Sequence, residues 1–246
     1  QVKLRAMKNL YFIVLLTLSI FPDVAFGQFV KEKKITKGES FSGIQYMNVQ
    51  VSHERSGDFI PADIRVNGLN TRKQTILTHV MDTTFEINNY RLYTISCVEK
   101  GYMYYNEKFW PSENEIHLQQ VKLIPLAIGL STDVRDIKFL GDQTAIYHKS
   151  KPSLAEIKEF LDLNPSVKIA IVGHVNGPDK RKSPKFYQKA SEARGQAVMN
   201  YLIELGVDEL RLEAQGRGNT QMLFPDPKTD WQNEANRRVE ILITGI

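Results

Sequence analysis

The chain has 246 residues and a formal net charge of +4 at pH 7, a length that suits two small domains. So small a charge does not point to a nucleic-acid partner, and excising residues 1–27 lowers it further, because Lys3, Arg5 and Lys8 leave with only Asp23. Cys97 is the only cysteine, which excludes an internal disulfide and leaves stability to the packed cores.

The first feature in chain order is an apolar run from Leu10 to Phe21, interrupted only by Thr17 and Ser19, stopped by Pro22 and followed by the small-x-small triplet Ala25-Phe26-Gly27. It predicts a secretory signal cleaved before Gln28, with Gln1 to Ala6 as an overlong start. The run is shorter than the roughly 20 apolar residues of a membrane span, so no transmembrane segment is expected in the mature chain. No cysteine follows it, which argues against a lipid anchor. Residues 28–40 read as a linker.

From 41 to 126 the pattern is all-β. Met47, Val49 and Val51 alternate with polar residues, His53 to Asp58 reads as a turn, and Ile64 and Val66 alternate again. Phe85 and Ile87 follow, then a β-branched and aromatic run from Tyr90 to Val98 that closes on Gly101-Tyr102. Short strands separated by turn signals predict a β-sandwich domain. Cys97 lies in a strand-like run as a packed thiol, and Trp110 and the tyrosines serve either packing or a binding surface. Val121 to Ile128, with Pro125 and Gly129, reads as a bridge to a second domain at 127–246, which is expected to fold alone.

In that second domain Val134, Ile137 and Phe139 suggest a first strand. Ser153-x-x-Glu156 reads as a capping box opening a helix with Leu154, Ile157, Phe160 and Leu161 inward, ended by Asn164-Pro165. Val167, Ile169 and Ile171 predict a strand ending at Gly173. From Phe186 the positions Ala190, Ala193, Ala197, Val198, Tyr201, Leu202 and Leu205 have helical spacing, with Gly206 as the stop. Strands at Leu210–Gln215 and Val239–Ile243 complete an α+β domain with two helices on one side of a small mixed sheet.

Arg194 falls inside the apolar arc of the second helix. A guanidinium cannot shed its charge on burial, so it needs an anion, supplied either by an internal partner or by a ligand; the small alanines beside it leave room for a ligand. Lys180, Arg181, Lys182, Lys185 and Lys189 make the preceding loop and helix start basic, either as a solvated rim or as an attraction for acidic peptides. His174 reads as a hydrogen-bonded turn residue and not as a metal ligand, and no cofactor is expected. Of Arg237 and Arg238, one should turn inward and pair, with Glu240 or Glu213.

Two resemblances follow from these residues. The order of strand, Gly57 and Pro61 turn, strand and tyrosine-rich strand closing on Gly101-Tyr102 resembles the carboxypeptidase-regulatory-like domains. Asn164-Pro165, Gly173-His174, Ser191-x-x-Arg194, Tyr201-Leu202, Gly206-Val207, Arg211-Leu212, Gly216-x-Gly218 and Asn236-Arg237-Arg238-Val239-Glu240 resemble the OmpA-like C-terminal domains. The combination resembles envelope proteins of Bacteroidetes, a Gram-negative group.

The OmpA-like resemblance implies non-covalent binding of peptidoglycan through the diaminopimelate of its stem peptide. An aspartate after the Gly-His-Thr turn takes the ammonium, and the motif arginine takes the carboxylate. The matching positions here are His174, Val175, Asn176, Tyr187, Ser191 and Arg194. Val175 stands for threonine, Asn176 for the aspartate, Tyr187 for an asparagine and Ala190 for a leucine. Asp179 has the family's spacing to Arg194 if the longer loop is an insertion at Asn176-Gly177-Pro178. If Asn176 faces the ammonium, Asn176→Asp is expected to strengthen binding.

The leading function is then wall binding by a periplasmic protein associated with the outer membrane, with a possible outer-membrane protein partner. The alternative is an adaptor of an envelope secretion or motility machine, with weak wall binding or none. A hydrolase lacks its motifs, with no Gly-x-Ser-x-Gly and no metal-spaced histidines, so the protein is not expected to be an enzyme.

Overall fold

The computed structural model describes residues 45–68, 74–88, 92–111, 116–134, 136–140, 144–178 and 183–246. The signal and linker expectations for residues 1–40 lie outside these. The strand-rich first region holds β1 (Gln45–His53), β2 (Ala62–Gly68), β3 (Gln74–Val80), β4 (Asp82–Ile87), β5 (Tyr93–Cys97), β6 (Tyr105–Phe109) and β7 (Ile116–Leu123). They form two sheets, ordered β4-β1-β7 and β3-β2-β5-β6. All pairs are antiparallel except β1 with β7, which run parallel from Tyr46–Ile116 to His53–Leu123. Both sheets face one core, where Met47, Val49 and Val51 meet Ile64, Val66, Ile95, Val121 and Leu123.

Two of these strands differ from the sequence reading. Val121 to Leu123 do not belong to a bridge; they are the inward end of β7. Its apolar residues change face partway along. Ile116 and Leu118 point outward and are exposed, while Val121 and Leu123 point inward behind the buried Gln119, so no single alternation is visible. β3 lies at a sheet edge and is mostly exposed, which frees its sequence from any apolar pattern.

The second region contains β8 (Ser131–Val134), α1 (Lys151–Leu163), β9 (Lys168–Gly173), α2 (Pro184–Glu204), β10 (Leu212–Gly216), α3 (Asp230–Asn236) and β11 (Val239–Gly245). The sheet order is β10-β9-β11-β8. β9 and β10 are parallel, as a strand–helix–strand crossover through α2 requires, and the other two pairs are antiparallel. The α+β class with a mixed sheet is as expected, with α3 added. β8 ends at Val134, so Ile137 and Phe139 follow the strand instead of forming it.

The expected capping box is absent. α1 starts at Lys151 with Ser150 as its N-cap and Pro152 in its first turn, and Ser153 and Glu156 lie inside the helix, both buried. Proline's fixed φ moves the start upstream of the serine. At the other end Arg211 satisfies the carbonyls of Leu161 and Asn164 at 2.8 Å each and that of Val167 at 2.9 Å. α2 ends as predicted. Gly206 adopts φ +95°, with Val207 N donating to Leu202 O at 3.0 Å and Gly206 N to Ile203 O at 2.8 Å, a Schellman pair.

Leu154, Ile157, Phe160 and Leu161 of α1 meet Ile169, Ile171, Val198, Leu202, Val239, Ile241 and Ile243 in a second core. Val98, Met103 and Tyr104, from the segment joining β5 to β6, belong to the same core. Ile124 and Leu126 pack against it as well, and polar contacts complete the joint between the regions. Tyr104 donates to Glu156 at 2.8 Å, Gly101 N to Asn164 Oδ1 at 2.8 Å, and Arg65 pairs with Glu159 at 2.7 Å. Among the described residues no helix is long and apolar enough to cross a membrane.

Candidate functional site

α2 crosses β9 and β10 with almost nothing between the backbones. A Cβ added to Gly173 would stand 2.1 Å from Ser191 O, and one on Gly216 2.5 Å from Ser191 Oγ. One on Gly195 would stand 2.8 Å from Ile171 O and 2.9 Å from Gln215 O. Only glycine permits this approach. Ser191, at 0% exposure, is the knot of the crossing: its Oγ donates to Gln188 O and accepts from Gly218 N, both at 2.8 Å. That hydroxyl ties the helix to the turn after β10.

One turn further along the same face, Arg194 is 8% exposed. Its guanidinium carbon lies over the Phe139 ring, 5.3 Å from the centroid. The packed face of α2 is Tyr187, Ser191, Arg194, Gly195, Val198, Met199 and Leu202. It is rotated from the alanine arc read in the sequence. Ala193 is exposed and Ala190 and Ala197 are half-buried, because the close crossing selects glycine and serine, not alanine, for the innermost positions.

The turn after β9 carries the next three predicted residues. His174 is 1% exposed, its Nε2 3.0 Å from Glu240 Oε2 and its backbone N donating to Arg238 O at 3.0 Å. Facing a carboxylate, Nε2 carries the proton. This hydrogen bond holds the Glu240 carboxyl below the usual glutamate range. Val175 is buried and donates its N–H to Gly218 O at 3.1 Å. Asn176 Nδ2 donates to Asn233 Oδ1, and its Oδ1 accepts from Asn236 Nδ2, each at 2.8 Å. Gly177 lies against the buried Tyr187 ring, where a Cβ would come within 2.6 Å, and its carbonyl accepts from Asn219 Nδ2 at 2.7 Å.

This turn meets the packed face of α2 at its N-terminal end, through the contact of Gly177 with Tyr187. Asp179, Lys180, Arg181 and Lys182 lie outside the described residues; Lys185 and Lys189 are exposed. Arg237 is exposed at the end of α3, and Arg238 is half-buried just before β11, on the face opposite Val239, where it pairs with Asp133 at 2.9 Å. Glu240 is turned to His174, and Glu213 is exposed on β10, so neither receives Arg238. Among the described residues no three His, Cys, Asp or Glu side chains are grouped to hold a metal ion.

Phe139, Asn233 and Asn236 escaped the sequence reading as site residues. Asn236 stands in a quoted motif, the Asn-Arg-Arg run; nothing local marks Asn233 or Phe139.

The family model described as the OmpA family matches residues 138–237. Among curated proteins, photosystem I P700 chlorophyll a apoprotein A2 of Gloeobacter violaceus is 31% identical over 113 residues, 44% of this chain and 13% of that protein. Outer membrane porin F of Pseudomonas fluorescens is 29% identical over 107 residues, 43% of this chain and 31% of that protein. The crystal structure of the peptidoglycan-associated lipoprotein from Burkholderia pseudomallei matches with a TM-score of 0.39 and 21% identity, over 44% of this chain and 88% of that one. The chain spans a third or less of the length of the curated relatives it matches. The match from 138 to 237 takes in α1, β9, α2, β10 and α3 with every candidate site residue, and residues 138–237 are an OmpA family domain.

Proposed function

We propose that this domain binds peptidoglycan non-covalently, with Arg194 taking the carboxylate of a diaminopimelate stem peptide. The observation that carries the reading is the placement of Arg194 on the packed face of α2, in the Ser191-x-x-Arg194 motif of an OmpA family domain, with its guanidinium over Phe139. An aromatic face supports a guanidinium, while its N–H groups can grip a carboxylate bidentately. The turn carrying His174, Val175 and Asn176 forms one wall of the site and Tyr187 its floor. His174, held by Glu240, shapes this wall from behind. The protein would act in the periplasm, associated with the outer membrane, with the strand-rich region available to a protein partner.

Co-sedimentation with purified diaminopimelate-type sacculi tests this. Arg194→Ala removes a charge-assisted contact worth roughly 2–5 kcal/mol when desolvated, so most binding should vanish while the thermal melt persists. Undiminished binding by a folded Arg194→Ala protein sinks the proposal. A second reading, an envelope adaptor with weak wall binding, is favoured by the neutral Asn176 where the family places an acid; it predicts that the parent itself sediments poorly with sacculi.

A further inference from the structure

We infer that Asn176 is a positioning residue of the wall-binding site, an amide strap held by Asn233 and Asn236 of α3, and that only an amide fits there. This rests on the wall-binding reading and alters the role of one residue in it.

The polarity of the strap is set by backbone groups at both ends. Asn236, at 0% exposure, accepts from Phe224 N at 2.9 Å on Oδ1 and donates to Phe224 O at 2.8 Å from Nδ2. Its amide therefore cannot be turned over, and its second N–H faces Asn176 Oδ1. At the other end Asn233 Nδ2 donates to Thr229 O at 3.1 Å, which leaves Asn233 Oδ1 towards Asn176. The side chain at 176 must accept on one side and donate on the other. An aspartate accepts on both, and one of its oxygens would face Asn233 Oδ1. The substitution of asparagine for the family's acid thus matches a donor requirement imposed by α3.

Val175 and Gly177 are also held from the stretch before α3: Gly218 O accepts from Val175 N, Met222 Sδ from Gly177 N, and Gly177 O from Asn219 Nδ2. Residues 218–236 thus hold the Val175 to Gly177 part of the turn, and Asn176 joins it to α3.

Sacculus binding by the full chain and its Asn176→Asp and Asn176→Leu variants, across pH 4 to 8 and alongside thermal melts, tests the strap. At pH 7 Asn176→Asp should bind about fivefold more weakly, one lost hydrogen bond's worth. It should recover towards the parent as acidification protonates the new carboxyl and restores a donor. Asn176→Leu should be weakened at every pH. The parent is the control for groups common to both, namely His174, Glu240, Asp230, Glu234, Arg237 and the wall's own carboxylates. Tighter binding by Asn176→Asp at pH 7, or binding equal to the parent's, overturns the strap while leaving the wall-binding reading intact. A parent that does not bind sacculi removes that reading and the strap with it.

Discussion

Two places in the molecule bring a helix onto a sheet, and they do it by opposite means. Where α2 crosses β9 and β10, contact is made by removing side chains: Gly173, Gly195 and Gly216 let main chain meet main chain around Ser191. Where α1 meets the strand-rich region, contact is made by side chains: Val98, Met103 and Tyr104 pack into its core, Tyr104 donates to Glu156 and Arg65 pairs with Glu159. The first arrangement has no slack, since any added atom displaces backbone. The second spans its gap with side chains, so a change there displaces side chains before backbone. It is the unyielding crossing that carries Arg194, in keeping with the fixed geometry that the proposed bidentate contact needs.

The contrast is broken most directly at Gly173. Gly173→Ala puts a methyl group 2.1 Å from Ser191 O, against backbone that cannot rotate away. A loss of about 3 kcal/mol is expected, at the upper end of overpacking effects, with sacculus binding lost as α2 shifts. A denaturant titration measures the first and co-sedimentation the second; an unchanged midpoint would mean the crossing has slack after all.

Truncation to residues 127–246 probes the joint. It removes Val98, Met103 and Tyr104 from the second core and the donors to Glu156 and Asn164, while every contact described at the α2 crossing remains. A folded fragment is expected, with a lower melting temperature than the same region in the full chain, a dye-binding patch over α1, and retained wall binding. A fragment that loses wall binding while melting normally would show that the two contacts are coupled.

The smallest effect concerns pH. Burial raises the Glu156 carboxyl above the usual glutamate range, so the folded state holds that proton more tightly than the unfolded chain. The stability it contributes is present below the ordinary glutamate value and is lost as pH rises through the folded value. Glu156→Gln should therefore flatten the decline in stability above the acid range and match or exceed the parent at pH 7. Glu240 has the opposite sign. His174 lowers its folded value, so its contribution is present at neutral pH and fades as pH falls through that lowered value. Melts of Glu156→Gln and Glu240→Gln from pH 3 to 8 should approach the parent in acid and part from it in opposite directions towards neutral pH.

What was legible in the sequence follows the same division. β9 and α2 could be read because their periods of 2 and 3.6 are enforced by one buried face, and Arg194 stood out by interrupting such a face. β7 could not, because its apolar residues change sides between Leu118 and Val121, and β3 could not, because an edge strand buries little. The misplaced start of α1 came from giving Ser153-x-x-Glu156 its local meaning, when Glu156 is instead committed to Tyr104, a residue from the other region. Asn233 is silent in the sequence, and the partner of Asn236 is hidden, for a related reason: an amide's partner is fixed by the fold, and no local spacing announces it.

The parallel pairing of β1 with β7 bears on mechanical load. The C-terminal end of β7 leads into the region with the proposed wall site, and the N-terminal end of β1 leads to whatever precedes residue 45. In a parallel pair these two ends lie at opposite extremes of the ladder. Tension between them therefore slides the strands along one another and strains every hydrogen bond from Tyr46–Ile116 to His53–Leu123 together. An antiparallel hairpin pulled from its two adjacent ends would open one bond at a time. Tension between Gln45 and the proposed wall site would thus load this ladder in shear.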